Sequence, residues 1–330
     1  MNELEIANSI HGVLEYINFK FHLNFRILIT TLPLIYIVPT MIVMWKVFKG
    51  YRAEPIKDAK LTLDGNLFLL LMLYFTANII LFFADYLRFN IPVSGLITSW
   101  CASISPNKLF IVLIIIRDYV NYCVLILPFL VSLIRIIILT FTYNQRNVRS
   151  CAMRWFILPI LFLVPLIFIS FLFPSIGYCR QLGSPFPFGA VDIYYFRGFI
   201  GLSRSYFILA LSSFCWTLSA VLSSFMYFKL RTAITNISSP YTRALARRAE
   251  ISISITLISA VVPFITNTIV SVTTLWTPSI KFYFLPLRII GNDFETVMMP
   301  WILFITHPIF RKMRGNSKTT LKTIRVSRVS

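Results

Sequence analysis

The sequence predicts an all-α membrane protein in which seven transmembrane helices form one bundle. Three observations lead there. First, of 330 residues 57% are hydrophobic and only 13% charged, with a mean hydropathy of +0.78. Ordinary soluble domains carry about 25% charged residues, and a soluble core of this size has no room to hide so much apolar surface. Second, the apolar residues gather in seven runs, each long enough to cross a hydrocarbon layer of roughly 30 Å as a helix. Third, the formal charge of +19 lies between those runs and not on one patch, as expected for loop charge that sets topology. No nucleic-acid partner is therefore expected.

Residues 1–26 form a polar N-terminus. They carry Glu3, Glu5 and Glu15 and no basic leading region, so the first span is expected to act as its own insertion signal. Span one covers about 27–48 and holds Pro33 and Pro39, which membrane helices tolerate as kinks. Span two covers about 66–86 with a single buried amide, Asn78, and 87–108 is expected to be a loop containing Cys101. Span three, about 109–140, is interrupted only by Arg117, Asp118 and Arg135. At helical rise it is roughly 48 Å long, too long to cross upright, which suits a tilted helix at the centre of the bundle.

Span four covers about 155–173, and the following loop, 174–204, is rich in turn formers and holds Cys179. Span five covers about 205–228 and span six about 251–276, with Pro263 inside it. The segment YTRALARRAE ahead of span six reads as a helical extension of it. Span seven covers about 284–304, and residues 307–330 form a basic tail that should bind anionic lipid headgroups. No internal repeat is visible, so an inverted-repeat transporter has no support.

Counting Lys and Arg sets the orientation. The segments after spans one, three, five and seven hold twenty, against eight in the N-terminus and the other three loops. That bias favours an N-terminus outside and a C-terminus in the cytoplasm. The one glycosylation sequon, Asn236-Ile237-Ser238, then falls inside.

Cys101 and Cys179 both fall in outside loops, on the oxidising face, where a bridge would tie the long loop over the bundle; two unpaired thiols are the alternative. Cys123 and Cys215 read as packing residues, and Cys151 as an inner-face thiol. Charges inside a span are costly and by default mark function. Asp118 and Asp293 lie at matched depth on spans three and seven, with Arg117, Arg288 and Glu295 in the same half. Arg288, Asn292 and Glu295 follow i, i+4, i+7 spacing on one face. Arg117, Asp118, Arg288, Asn292, Asp293 and Glu295 are thus candidates for an outer-half cavity between spans three and seven. The alternative is a purely structural cluster of ion pairs.

Arg135 lies near the inner end of span three, where it either snorkels to headgroups or pairs with Glu250 at the inner end of span six. With Arg247 these form candidates for an inner-face switch. The word Arg117-Asp118-Tyr119 sits in the wrong half of its helix to serve that role. Enzyme readings fare badly. His11, His22 and His307 all lie outside the bilayer core, no catalytic elbow or metalloprotease motif is present, and an Asp118–Asp293 dyad lacks flanking signatures. No cofactor or metal is expected.

The chain resembles the nematode serpentine chemoreceptors of the Srg superfamily, most closely class U. The resemblance covers nearly the whole chain and rests on IHGVLEYINFKF, PLIYIVPTMIV, SWCAS, PFLVSLIRI, YCRQLGSPFPFGAV, RRAEISISITLISAVVPFITN and NDFETVMMPWILFITHPIF. It implies a seven-helix bundle of G-protein-coupled receptor type in the plasma membrane of sensory neurons. It also implies an environmental small-molecule ligand, a heterotrimeric G protein as partner, and for Arg135 the role of the inner-end arginine of rhodopsin-like receptors. The rhodopsin-like Asp-Arg-Tyr, Cys-Trp-x-Pro and Asn-Pro-x-x-Tyr signatures are absent, with MMPWILFITHP standing in span seven. A ligand-gated channel or transporter of seven-helix type is the alternative, and a structural membrane subunit a third reading.

Overall fold

A computed structural model describes residues 9–21, 25–53, 63–140, 145–196, 204–235, 240–277 and 280–310. The basic tail beyond Phe310, the Asn236 sequon, His22, Glu3 and Glu5 lie outside the described residues.

Among the described residues seven helical rods make up most of the fold. They are α1 (Phe25–Ala53), α2 (Gly65–Asp85), α3 (Lys108–Thr140), α4 (Leu158–Ile169), α5 (Arg204–Thr235), α6 in two segments (Pro240–Ile258 and Val261–Trp276), and α7 (Lys281–Thr306). Six of the rods are long and apolar enough to cross a membrane: Thr30–Ala53, Gly65–Val93, Lys108–Thr140, Val148–Leu172, Arg204–Lys229 and Arg247–Trp276. α7 falls short of that apolarity because Arg288, Asn292, Asp293 and Glu295 sit inside it. Each of those polar groups turns to a neighbouring helix, and α7 packs against α1, α2 and α6 as a full member of the bundle.

α3 is the central rod. It packs against α2, α4 and α5, and Ile114, Leu130, Val131 and Ile134 along it are completely buried. Without a hydrophobic drive between helices in lipid, close contact and interhelical hydrogen bonds hold such bundles together. Ser132 of α3 meets Ser219 of α5 at 3.1 Å in this way. α6 and α7 come together at Gly291, where a Cβ would fall 2.0 Å from Thr266 Oγ1, so only glycine fits.

Proline shapes α6. Pro263 has no N–H for the carbonyl four residues back, Ser259, and the helix breaks at Ser259–Ala260. The segment ahead of the break begins at Pro240.

The stretch expected as a loop over 87–108 is largely helical. α2 continues through a π turn (Tyr86–Asn90) and Ile91–Val93, and a further short helix spans Thr98–Ser103. The stop comes only at Gly95, whose φ of +85° is left-handed. The loop after α4 folds into an antiparallel hairpin, β1 (Gly177–Gln181) with β2 (Val191–Tyr195), in which Cys179 faces Ile193. A disulfide joins Cys179 to Cys101 on the Thr98–Ser103 helix. The N-terminal segment closes over both, with Ile10 N donating to Cys179 O at 3.1 Å and Gly12 N to Ala102 O at 3.0 Å. Hairpin, short helix and N-terminal segment together cap one end of the bundle.

Candidate functional site

Beneath the hairpin lies a cavity of about 130 Å³. The π turn after α2, the helices α3, α5, α6 and α7, and both strands all contribute to its walls. Its chemistry follows from where α2 ends. Asp85 is the last residue of α2 proper, and Arg88 lies one turn on, in the π turn, so both project to the same side. Asp85 takes Arg117 of α3 as partner: Nε donates to Oδ1 at 2.6 Å, and Nη2 lies 3.3 Å from Oδ2. Arg117 is 2% exposed and also donates through Nη1 to Asp118 Oδ1 at 2.9 Å.

Arg204, the first residue of α5, brings Nη2 to 2.8 Å from the same Asp118 oxygen, though without hydrogen-bond alignment. On the hairpin side Asp192 is shared by two arginines, with Arg180 Nη2 at 3.4 Å and Arg88 Nη2 at 3.9 Å. Arg88 also donates Nε to Ile193 O at 3.0 Å, which fastens the end of the second rod to β2. The Arg180 guanidinium sits 3.5 Å from the ring centre of Tyr194, a cation–π contact.

The six residues expected to share a cavity divide three ways. Arg117 and Arg288 line it. Asp118 and Asn292 stand behind it: Asp118 on Arg117 and Arg204, and Asn292 within reach of Asp85 (3.4 Å) and of Asn267 on α6 (3.3 Å). Asp293 and Glu295 face elsewhere. Tyr36 of α1 donates to Asp293 and Tyr74 of α2 donates to Glu295. The cavity expected between spans three and seven is therefore wider than that pair, and Asp118 and Asp293 do not meet across it. The reason is angular: on α7 Asp293 is a single residue from Asn292, about 100° around the helix, and so points to α1.

Asp85, Arg88, Arg180, Asp192 and Arg204 were not among the candidates from sequence. One signal existed for the first two. Asn78, Asp85 and Arg88 are spaced i, i+7, i+10 and share a face of the second rod, which marks a polar stripe pointing inward. Arg180, Asp192 and Arg204 come from separate elements and carry no comparable pattern.

The opposite end holds the other candidates. Arg135 is 3% exposed and does not reach out to headgroups. Its Nη2 donates to Glu250 Oε2 at 2.6 Å and to Ser254 Oγ at 2.9 Å, joining α3 to the Pro240–Ile258 segment of α6. Arg247 and Glu250 line a cleft of about 970 Å³ between α3, α5 and α6, in which Arg135 and Ser223 also lie. Cys123 and Cys215 are buried and Cys151 is exposed. Among the described residues no cluster of His, Cys, Asp or Glu has the makings of a metal site.

Comparison with known proteins gives two matches. Residues 10–313 match the family described as serpentine type 7TM GPCR chemoreceptor Sru. Over 289 residues the chain is 32% identical to serpentine receptor class U-26 of Caenorhabditis elegans, covering 86% of this chain and 93% of that relative.

Proposed function

This chain belongs to the Sru family of serpentine seven-helix chemoreceptors, and from that premise we propose that it binds an environmental small molecule and signals through a heterotrimeric G protein. The ligand enters beneath the hairpin, and the cleft at the far end of α3 receives the G protein. One observation carries the reading. A polar cavity at one end of the bundle and a two-helix ion pair at the other are joined by a single continuous rod, α3.

In the resting state Arg135 holds Glu250 and Ser254, and with them the Pro240–Ile258 segment, against α3. The break at Ser259–Ala260 lets that segment swing while Val261–Trp276 stays packed on α7 through Gly291. A ligand that contacts α3, α5, α6 and α7 differently in the two arrangements biases the equilibrium toward the open cleft. The hairpin end faces outside, in accord with the basic residues of the inner loops and with a disulfide on the oxidising side. The site of action is the plasma membrane of sensory neurons, with the basic tail on anionic lipid. Family membership favours this account over the channel or transporter alternative.

The test is expression in heterologous cells with a promiscuous Gα subunit, reading calcium against a panel of odorants. A ligand-evoked calcium rise that needs Gα supports the reading; a ligand-evoked current that persists without any G protein sinks it.

A further inference from the structure

The cavity under the hairpin is electrically unbalanced. Its walls present six cations, Arg88, Arg117, Arg180, Arg204, Lys281 and Arg288, against two carboxylates, Asp85 and Asp192. Asp118, behind the wall, is a third. Lys281 lies over the Phe282 ring and is left out of the balance; among the described residues the five arginines exceed the three carboxylates by two around a space of about 130 Å³.

The carboxylates are already shared. Asp118 Oδ1 faces both Arg117 and Arg204, and Asp192 faces both Arg88 and Arg180. Among the described residues Arg288 reaches only the neutral amide oxygen of Asn121, at 3.5 Å. Arg180, Arg204 and Arg288 each keep a buried Nε–H with no hydrogen-bond partner among the described residues. Cations withdrawn from water without a counter-charge are costly, and a donor left unpaired adds to that cost. A single anion in the cavity removes both penalties.

We propose that this cavity is an anion site whose ligand is a small organic acid: a carboxylate or sulfonate on a short apolar body. The planar guanidinium fork matches two-oxygen acceptors, which favours those head groups. Beside the hydroxyl residues Ser205, Ser271 and Thr274 the wall has an apolar and aromatic side, through Ile208, Val270, Phe282 and Leu285, which takes a ring or short chain. An amine of the same size meets net repulsion, and a neutral amide leaves the excess charge uncompensated. The proposal rests on the receptor reading, since it names the ligand class of that same cavity, yet binding is measurable without signalling.

The experiment is thermal melting of the purified full-length protein in neutral-lipid nanodiscs. Benzoate, hexanoate and benzenesulfonate are compared with benzamide, hexanamide and benzylamine at equal concentrations. A ligand that binds only the folded state raises the melting temperature in a concentration-dependent way. At least one of the acids should do so, while the amides and the amine do not. Arg288→Gln should weaken the acid's affinity about tenfold, the loss of one charge-assisted hydrogen bond.

Thr274→Asp places a resident carboxylate in the wall and should raise the melting temperature without ligand while abolishing the response to acids. The idea is overturned if no acid shifts the melt, if amides or amine shift it as well, or if Thr274→Asp leaves the acid response intact. Guanine-nucleotide exchange on added Gα is read in parallel. Acid binding without exchange sinks the receptor reading and leaves the anion site standing; exchange driven only by neutral compounds does the reverse.

Discussion

Asp85 and Arg117 show how individual charges are tolerated at the helix ends and within the bundle. Arg117 is 2% exposed and stable there only because Asp85 and Asp118 face it. Replacing Asp85 by Asn removes one buried partner and leaves the guanidinium undercompensated, which should cost about 3–5 kcal/mol. Thermal melting in nanodiscs checks this; a variant that melts with the parent would show that Asp118 alone suffices. At the other end, Glu250→Gln weakens the contact with Arg135 made at 2.6 Å. Ligand-independent nucleotide exchange on Gα should then rise above the parent level, and an unchanged basal rate would remove Arg135 and Glu250 from the switch.

Among the elements, α6 and the disulfide-tied cap carry the clearest consequences. Pro263 is what interrupts α6 at Ser259–Ala260. Pro263→Ala restores the missing donor, straightens the rod and should lower the maximal response while leaving ligand affinity unchanged. Dose–response curves separate the two, and a full maximal response would argue against a hinge there. The Cys101–Cys179 bridge closes a loop of 78 residues in sequence separation. Cys101→Ser should therefore lower stability by about 2–4 kcal/mol, mostly by freeing the unfolded chain. The parent protein in reductant should melt like the variant, and no difference in either case would mean the cap is held by its backbone hydrogen bonds alone.

At the scale of the whole molecule, the two ends of the bundle carry different chemistry. The hairpin end carries the disulfide and the cation-rich cavity. The opposite end carries the Arg135–Glu250 pair, the cleft, and the ion pair between Arg149 and Asp64 that ties the N-cap of α2 to the short helix Gln145–Ala152. An epitope placed after Ser330 should be stained only in permeabilised cells. Staining of intact cells would invert the bundle and put the cleft where no G protein can reach it.

Much of this was open to reading along the chain. Periodic apolar runs reveal membrane helices because the bilayer demands length and apolarity from each rod separately, whatever its neighbours do. That is why runs such as α3 and α5 stand out along the chain, while α7, with Arg288, Asn292, Asp293 and Glu295 inside it, stands out least. The continuation of the second rod past Tyr86 was hidden, since Arg88 looks like a loop residue until its partners on the hairpin, Asp192 and the Ile193 carbonyl, are seen.

By itself the sequence determined a multi-pass helical membrane protein of the serpentine chemoreceptor type, because hydropathy and family motifs are local properties of the chain. Only the tertiary structure decided which charges share a cavity. Asp85, Arg88, Arg117, Arg180, Asp192 and Arg204 come from five separate elements of the chain, and no spacing along it encodes their meeting. Their rotation about each helix axis, set by packing, turned Asp293 and Glu295 away and brought the arginines together.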